Sequence, residues 1–94
     1  MTKYVIISKL TDDGAKTLKK NPHRIKEVND ELKEMGVEVL EQFFILGKYD
    51  FINIVKARDE TAISRAVVEL ASRGSIRTQT YTAIPVDEFI ESLD

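Results

Sequence analysis

The side chains of this sequence that could carry chemistry are few: one histidine, a pair of adjacent aspartates, a run of lysines, and an amide in the middle of an apolar stretch. There is no cysteine, so thiolate nucleophiles and thiolate metal ligands are excluded. His23 is the sole imidazole, and no triad built on serine can be argued from its spacing. A metal would have to recruit carboxylates around that single ring, and none is expected to bind. Beside Arg24 in the first turn of a predicted helix, His23 reads as a solvated surface residue. Asp12-Asp13 stands just before a helical turn, where carboxylates cap free amides. Lys16, Lys19, Lys20, Arg24 and Lys26 are followed at once by Glu27, Asp30, Glu31 and Glu34, the pattern of a solvated helix face rather than an anion site. No glycine-rich phosphate loop is present, and no cofactor is expected.

Asn53 is the unusual residue. It interrupts Phe51-Ile52-Asn53-Ile54-Val55, and an amide in the middle of a central strand must find partners or cost about 1 to 3 kcal/mol. Two readings stay open: a hydrogen bond across a subunit interface, or the polar end of a small pocket formed with Tyr4, Ser8, Arg77 and Tyr81. In the second, Arg77 holds a carboxylate or other anion by a bidentate contact. A further constellation is Gly47-Lys48-Tyr49-Asp50, between two apolar runs. Gly47 can take a positive φ, Asp50 can accept hydrogen bonds from loop amides, and Tyr49 can cover the hairpin end or reach a partner.

These residues need elements to position them. Thr2 to Leu10 is rich in β-branched and aromatic residues and ends at the turn and cap formers Thr11-Asp12-Asp13-Gly14, which predicts a strand. Ala15 to Lys20 reads as a short helical turn set off by Pro22. Asn21-Pro22 reads as the cap and first residue of a helix in which Ile25, Val28, Leu32 and Met35 recur until Gly36 stops it. Val37 to Leu46 and Phe51 to Ala57 form an antiparallel hairpin across four residues. Asp59 caps a helix with Ala62, Ile63, Ala66, Val67 and Leu70 on one face, closed at Arg73-Gly74. Ser75 to Ile84 is a strand ended by Pro85, and Val86 to Leu93 a short closing helix.

The order strand, helix, strand, strand, helix, strand predicts one α+β domain over residues 1–94 of the ferredoxin-like βαββαβ type. Right-handed crossovers put both main helices on one face of a four-stranded antiparallel sheet. If the more apolar set of each strand faces the helices, that set is Val5 and Ile7, Ile52 and Ile54, and Ile76, Thr78 and Thr80. The bare face is then Tyr4, Ile6 and Ser8, Phe51, Asn53 and Val55, Arg77, Gln79 and Tyr81, with Gln42 and Phe44. Such a mixture suits a sheet-on-sheet interface or a lined pocket. Covering it with a second copy is worth on the order of 10 kcal/mol before association costs. A homodimer is therefore expected, against a monomer whose own C-terminal helix covers the face.

Composition narrows the partners. The chain is 43% hydrophobic and 32% charged with a formal net charge of -2, which gives no general attraction to nucleic acid or to an anionic membrane. The apolar runs are too short to span a bilayer and the start lacks signal-peptide character, so a cytoplasmic location is expected.

The Gly47 to Asp50 corner, the hydrophobic strand after it, the Arg77-Thr78-Gln79-Thr80 strand and the Asn21-Pro22-His23-Arg24 segment together resemble the GYD domain family. The resemblance implies a ferredoxin-like subunit of the dimeric α/β barrel type. From Val37 to Thr82 the chain is also similar to the effector-binding domain of Lrp/AsnC-type regulators, where a Gly-x-Tyr-Asp corner joins the same two strands. Gly74-Ser75-Ile76 departs by one inserted residue from the pattern that opens the last strand there. Ninety-four residues leave no room for a helix-turn-helix as well, which points to a stand-alone effector domain. Because such corners line the effector site, the resemblance adds Gly47, Tyr49 and Asp50 to the candidate ligand-binding set. The leading expectation is a non-enzymatic small-ligand-binding or assembly module acting on itself as a homo-oligomer, with a small anionic or apolar ligand. The alternative, on fold analogy, is a cofactor-independent oxygenase or isomerase with a base near Asn53 or His23.

Overall fold

The β-branched start of the chain forms β1 (Thr2–Leu10) in a computed structural model that describes residues 1–94. It is followed by α1 (Asp12–Lys20), α2 (Arg24–Glu34), β2 (Glu38–Phe44), β3 (Phe51–Ala57), α3 (Glu60–Ser72), β4 (Ile76–Ala83) and α4 (Val86–Leu93). The four strands make one antiparallel sheet in the order β2-β3-β1-β4, the ferredoxin-like arrangement the sequence implies.

The element boundaries are set by local chemistry, with three departures from expectation. The cap of α1 is Thr11 rather than the aspartate pair: its hydroxyl accepts from the Gly14 amide, and Asp12 and Asp13 occupy the first turn, where their charge favours the helix dipole. Asn21-Pro22 does not open α2. Those residues form a turn, in which the Arg24 amide donates to Asn21 O, and the helix begins after His23, which supplies no side-chain cap. The strands β2 and β3 are joined by residues 45–50, two more than expected. Asp59 caps α3 through Oδ1, as its position predicts.

Sheet register decides which side chains meet the helices. Antiparallel partners share a face, and Ile6 pairs with Thr80, Ser8 with Thr78 and Ile6 with Asn53. Tyr4, Ile6 and Ser8, Phe51, Asn53 and Val55, and Ile76, Thr78 and Thr80 therefore all lie beneath the helices. For β1 and β3 this inverts the expected assignment; for β4 it agrees. Tyr4, Ile6 and Val55 are buried with Leu32, Val37, Ala57, Ile63, Ala66 and Leu70 in the core. The opposite face carries Val5, Ile7, Ile52 and Ile54, with Phe43 and Tyr81 more than half exposed. A β-bulge at Leu40 shifts β2 by one residue, which turns Gln42 and Phe44 toward the helix side and Phe43 away from it.

The C-terminal α4 does not cover the bare face. Val86, Phe89, Ile90 and Leu93 recur at helical spacing, yet each is at least half exposed. None of the helix's residues is buried and no hydrogen bond ties it to another element. No helix of the chain is long and apolar enough to cross a membrane.

Candidate functional site

The Gly47 to Asp50 corner is built to lock two strands together. Gly47 has φ +142°, outside the range favoured by residues with a side chain. The side chain of Asp50 then turns back onto β1 instead of accepting from its own loop. Its Oδ2 accepts from the Leu10 amide at 2.8 Å, and its own amide donates to Ser8 O at 2.9 Å. The Ile45 amide donates to Asp50 O at 2.8 Å, and Lys9 Nζ to Lys48 O at 3.1 Å. Asp50 thus extends the β1–β3 ladder beyond the last backbone pair, with a charge-assisted bond at its end. Tyr49 donates its hydroxyl to Gln79 Oε1 at 3.0 Å, and Tyr81 donates to the same oxygen at 2.9 Å.

The eight candidate residues do not converge. Tyr4, Ser8 and Asn53 lie on the helix side of the sheet; Gly47, Tyr49 and Asp50 occupy the corner; Arg77 and Tyr81 are exposed on the other face. The expected cluster of Tyr4, Asn53, Arg77 and Tyr81 is therefore divided by the sheet itself. Arg77 stands on the other face of the sheet from Asn53, and its only side-chain hydrogen bond is to the adjacent carbonyl of Ile76. Asn53 cannot reach across the bare face to a second subunit, because it points under α2.

What the fold does assemble is a cavity of about 150 Å³ between the sheet and α1, α2 and the end of α3. Ser8 and Asn53 stand on its floor, and Leu18, Ile25, Val28 and Phe51 supply apolar walls. The oxygen of the Asn53 amide is buried, with no accessible surface of its own, and has no hydrogen-bond partner. Gln42, its cross-strand neighbour, is committed elsewhere: Asn29 Nδ2 donates to Gln42 Oε1 at 2.8 Å and Gln42 Nε2 donates to Asn29 Oδ1 at 3.2 Å. Tyr4 OH and Thr80 Oγ1 are also buried without partners. Burial pushes the Tyr4 phenol above its ordinary range, and the negative charge of Glu60 adds to the shift.

Ion pairs lie beside the cavity. Glu31 bridges Arg24 at 2.8 Å and Arg73 at 2.7 Å, so that one carboxylate joins the start of α2 to the end of α3. The hydrogen bond from Arg24, with Arg73 adding to it, holds the Glu31 carboxyl below the usual glutamate range against the opposing effect of desolvation. The same bond, followed by the one Arg24 donates to Glu27, raises the already high pKa of Arg24. Sequence reasoning missed Asn29, Arg24 and Arg73 as cavity residues. The signal for Asn29 was a polar residue between Val28 and Leu32 on a predicted apolar face. His23 is exposed, and no group of His, Asp or Glu side chains is gathered closely enough to hold a metal ion.

Comparison with known proteins places these features in a family. A protein of Thermus thermophilus named glutamine synthetase and cystathionine beta-lyase binding protein is 53% identical over 94 residues, with 99% of each chain covered. Among solved structures, MtbAldR superimposes with a TM-score of 0.64 at 21% identity over 89% of this chain; the chain spans about half, 52%, of that protein. Hypothetical protein PHS023 from Pyrococcus horikoshii gives a TM-score of 0.59 at 24% identity, covering 90% of this chain and 92% of the other. These structural likenesses bear on the fold, and they agree with the ferredoxin-like order of strands. The sequence profile of the GYD domain matches residues 4–93, which include the Gly47 to Asp50 corner and every strand and helix but the first residues of β1, and the chain belongs to the GYD domain family.

Proposed function

We propose that this chain is a non-catalytic protein-binding module, a homodimer that docks onto an enzyme of amino-acid metabolism in the cytoplasm. The observation that carries the reading is the apolar stripe of α4, formed by Val86, Phe89, Ile90 and Leu93 and left uncovered by the rest of the chain. Twelve large hydrophobic residues are exposed against ten hydrophobic residues buried in the core, more than the fold needs for itself. Two apolar surfaces are suited to partners. The bare sheet face, with Val5, Ile7, Ile52 and Ile54, is broad and flat and suits a second copy across a two-fold axis. The α4 stripe is narrow, and its flanks carry Asp87, Glu88, Glu91 and Asp94, so it suits a groove with a basic rim on a different protein. The full-length 53% relative is named for binding glutamine synthetase and cystathionine beta-lyase, which supports an enzyme as the partner.

The test is direct binding of the purified chain to the glutamine synthetase and the cystathionine beta-lyase of the same organism, measured by interferometry. Saturable binding to at least one of them is expected, lost in Phe89→Asp and Ile90→Asp but kept in Gln79→Ala on the sheet. Absence of binding by the native chain to both enzymes would remove this reading. For self-association, light scattering should give twice the chain mass, and Ile52→Glu should give a folded single chain.

A further inference from the structure

We propose that the bare sheet faces of two chains meet at right angles, about a two-fold axis that passes over Val5 and Ile52, with Lys9 and Arg77 of each copy paired to Glu41 and Glu38 of the other. This rests on the homodimer reading above and adds the direction of the axis and the contacts that fix it. The observation behind it is how charge is spread over the face. Sheet register places Lys3, Lys9, Lys56 and Arg77 there, together with Glu38 and Glu41. Within the strands the carboxylates belong to β2, at one edge, while the cations stand on the other three. Lys9 lies directly opposite Arg77 and Lys3 directly opposite Lys56, pairings of like charge that destabilise a lone sheet. Lys56 and Glu38 are joined within the chain, at 3.3 Å, but Lys9, Arg77 and Glu41 have no ion-pair partner in it.

Geometry leaves few ways to lay a second copy on this face. Packed sheets lie about 10 Å apart, within the joint reach of a lysine and a glutamate, and their strands run aligned or cross at about 90°. A two-fold axis in the plane between them gives two arrangements of each kind. The face itself has four columns, β2, β3, β1 and β4, and rows about 6.8 Å apart that run from Glu38, Lys56 and Lys3 at one end to Lys9 and Arg77 at the other. An axis along the strands sets Lys3 over Lys56 of the second copy, and an axis across them sets Lys3 over Lys9. An axis on the diagonal from Glu38 to Arg77 stacks each of these two on its own counterpart. Only the other diagonal superposes opposite signs, Lys9 over Glu41 and Arg77 over Glu38, without opposing like ones. It also brings Ile7 onto Ile54, and Val5 and Ile52 onto their counterparts at the axis, so the apolar centre closes in the same orientation that matches the charged corners.

The experiment uses the native chain, mixed as ¹⁴N- and ¹⁵N-labelled copies and treated with a water-soluble carbodiimide, which joins an amine to a carboxylate in contact with it. A Lys9–Glu41 link between light and heavy peptides is expected. Lys9→Glu and Glu41→Lys should each raise the dimer dissociation constant at least about tenfold, and the two together in one chain should bring it back to within about threefold of the native value. In a chain that does dimerise, a missing light-to-heavy Lys9–Glu41 link, a Lys56–Glu41 link in its place, or a double variant no tighter than the single ones would overturn the crossed arrangement and leave the homodimer standing. A single-chain mass for the native protein by light scattering would remove the homodimer itself, and this arrangement with it.

Discussion

Two residues hold strands and helices to the sheet in ways that their types alone conceal. Gly14 lies inside α1, where a glycine is ordinarily a defect, but a Cβ built there would collide with the backbone oxygen of Ser75. The absent side chain lets the start of α1 sit against the link from α3 to β4, where the Thr11 amide and hydroxyl donate to Ser75 O at 2.9 and 3.1 Å. Gly14→Ala should therefore cost about 3 kcal/mol in urea denaturation, the upper end of overpacking penalties, although alanine is the better helix former. Asp50 presents the converse case, a side chain whose whole value is one hydrogen bond. Asp50→Ala leaves the Leu10 amide unmatched at the edge of the ladder and should lower stability by about 1 to 3 kcal/mol; Asp50→Asn, which keeps an acceptor oxygen, should lose less. Both comparisons are read from midpoints at equal slope.

At the level of elements, the salt-bridged junction of α2 and α3 gives the fold an acid limit. Because the Glu31 carboxyl is held below its ordinary value of 4.5, its contribution to stability is present in full above that value and is lost as the pH falls through its lowered one. Thermal melts between pH 7 and about pH 2 should show an acid decline that is shallower in Glu31→Gln, with the two proteins converging at the lowest pH. The magnitude is modest, since Arg24, Glu31 and Arg73 side chains are each about a third exposed. The elements themselves were legible in the sequence, because capping residues such as Asp59, stops such as Gly36 and β-branched runs act locally. The faces of β1 and β3 were not. Alternation identifies two sets per strand, but choosing between Val5/Ile7 and Tyr4/Ile6/Ser8 by hydrophobicity assumes that the helix side is the greasier one. Here small and polar residues, Ser8 and Asn53, lie beneath the helices, while isoleucines face outward. The register with Thr78 and Thr80, which needs both strands at once, was the information required. For the same reason the candidate site was half legible: Ser8 and Asn53 belong together, whereas Arg77 and Tyr81 belong to the other side.

The whole molecule is thin for its length, 51 by 29 by 19 Å, with helices on one side of a single sheet. A slab of this kind buries little on its own, and a chain of ninety-four residues without disulfides has few other sources of stability. If a second copy covers Val5, Ile7, Ile52 and Ile54, folding and association are one equilibrium. The melting temperature should then rise with protein concentration, by a few degrees per tenfold, and Ile52→Glu should abolish the dependence. A melting temperature constant across the micromolar range would separate folding from assembly.

The isolation of α4 has a consequence for how any docked protein would be detected. Eight residues are too few to stay helical in water unaided, and Pro85 supplies no side-chain cap to nucleate them. The amide protons of Val86 to Leu93 should therefore trade for deuterium within moments in the free chain and become slow only where another surface seals the stripe. Mass-resolved exchange of that one C-terminal peptide is thus a gauge of occupancy that needs no label and works whatever protein has docked.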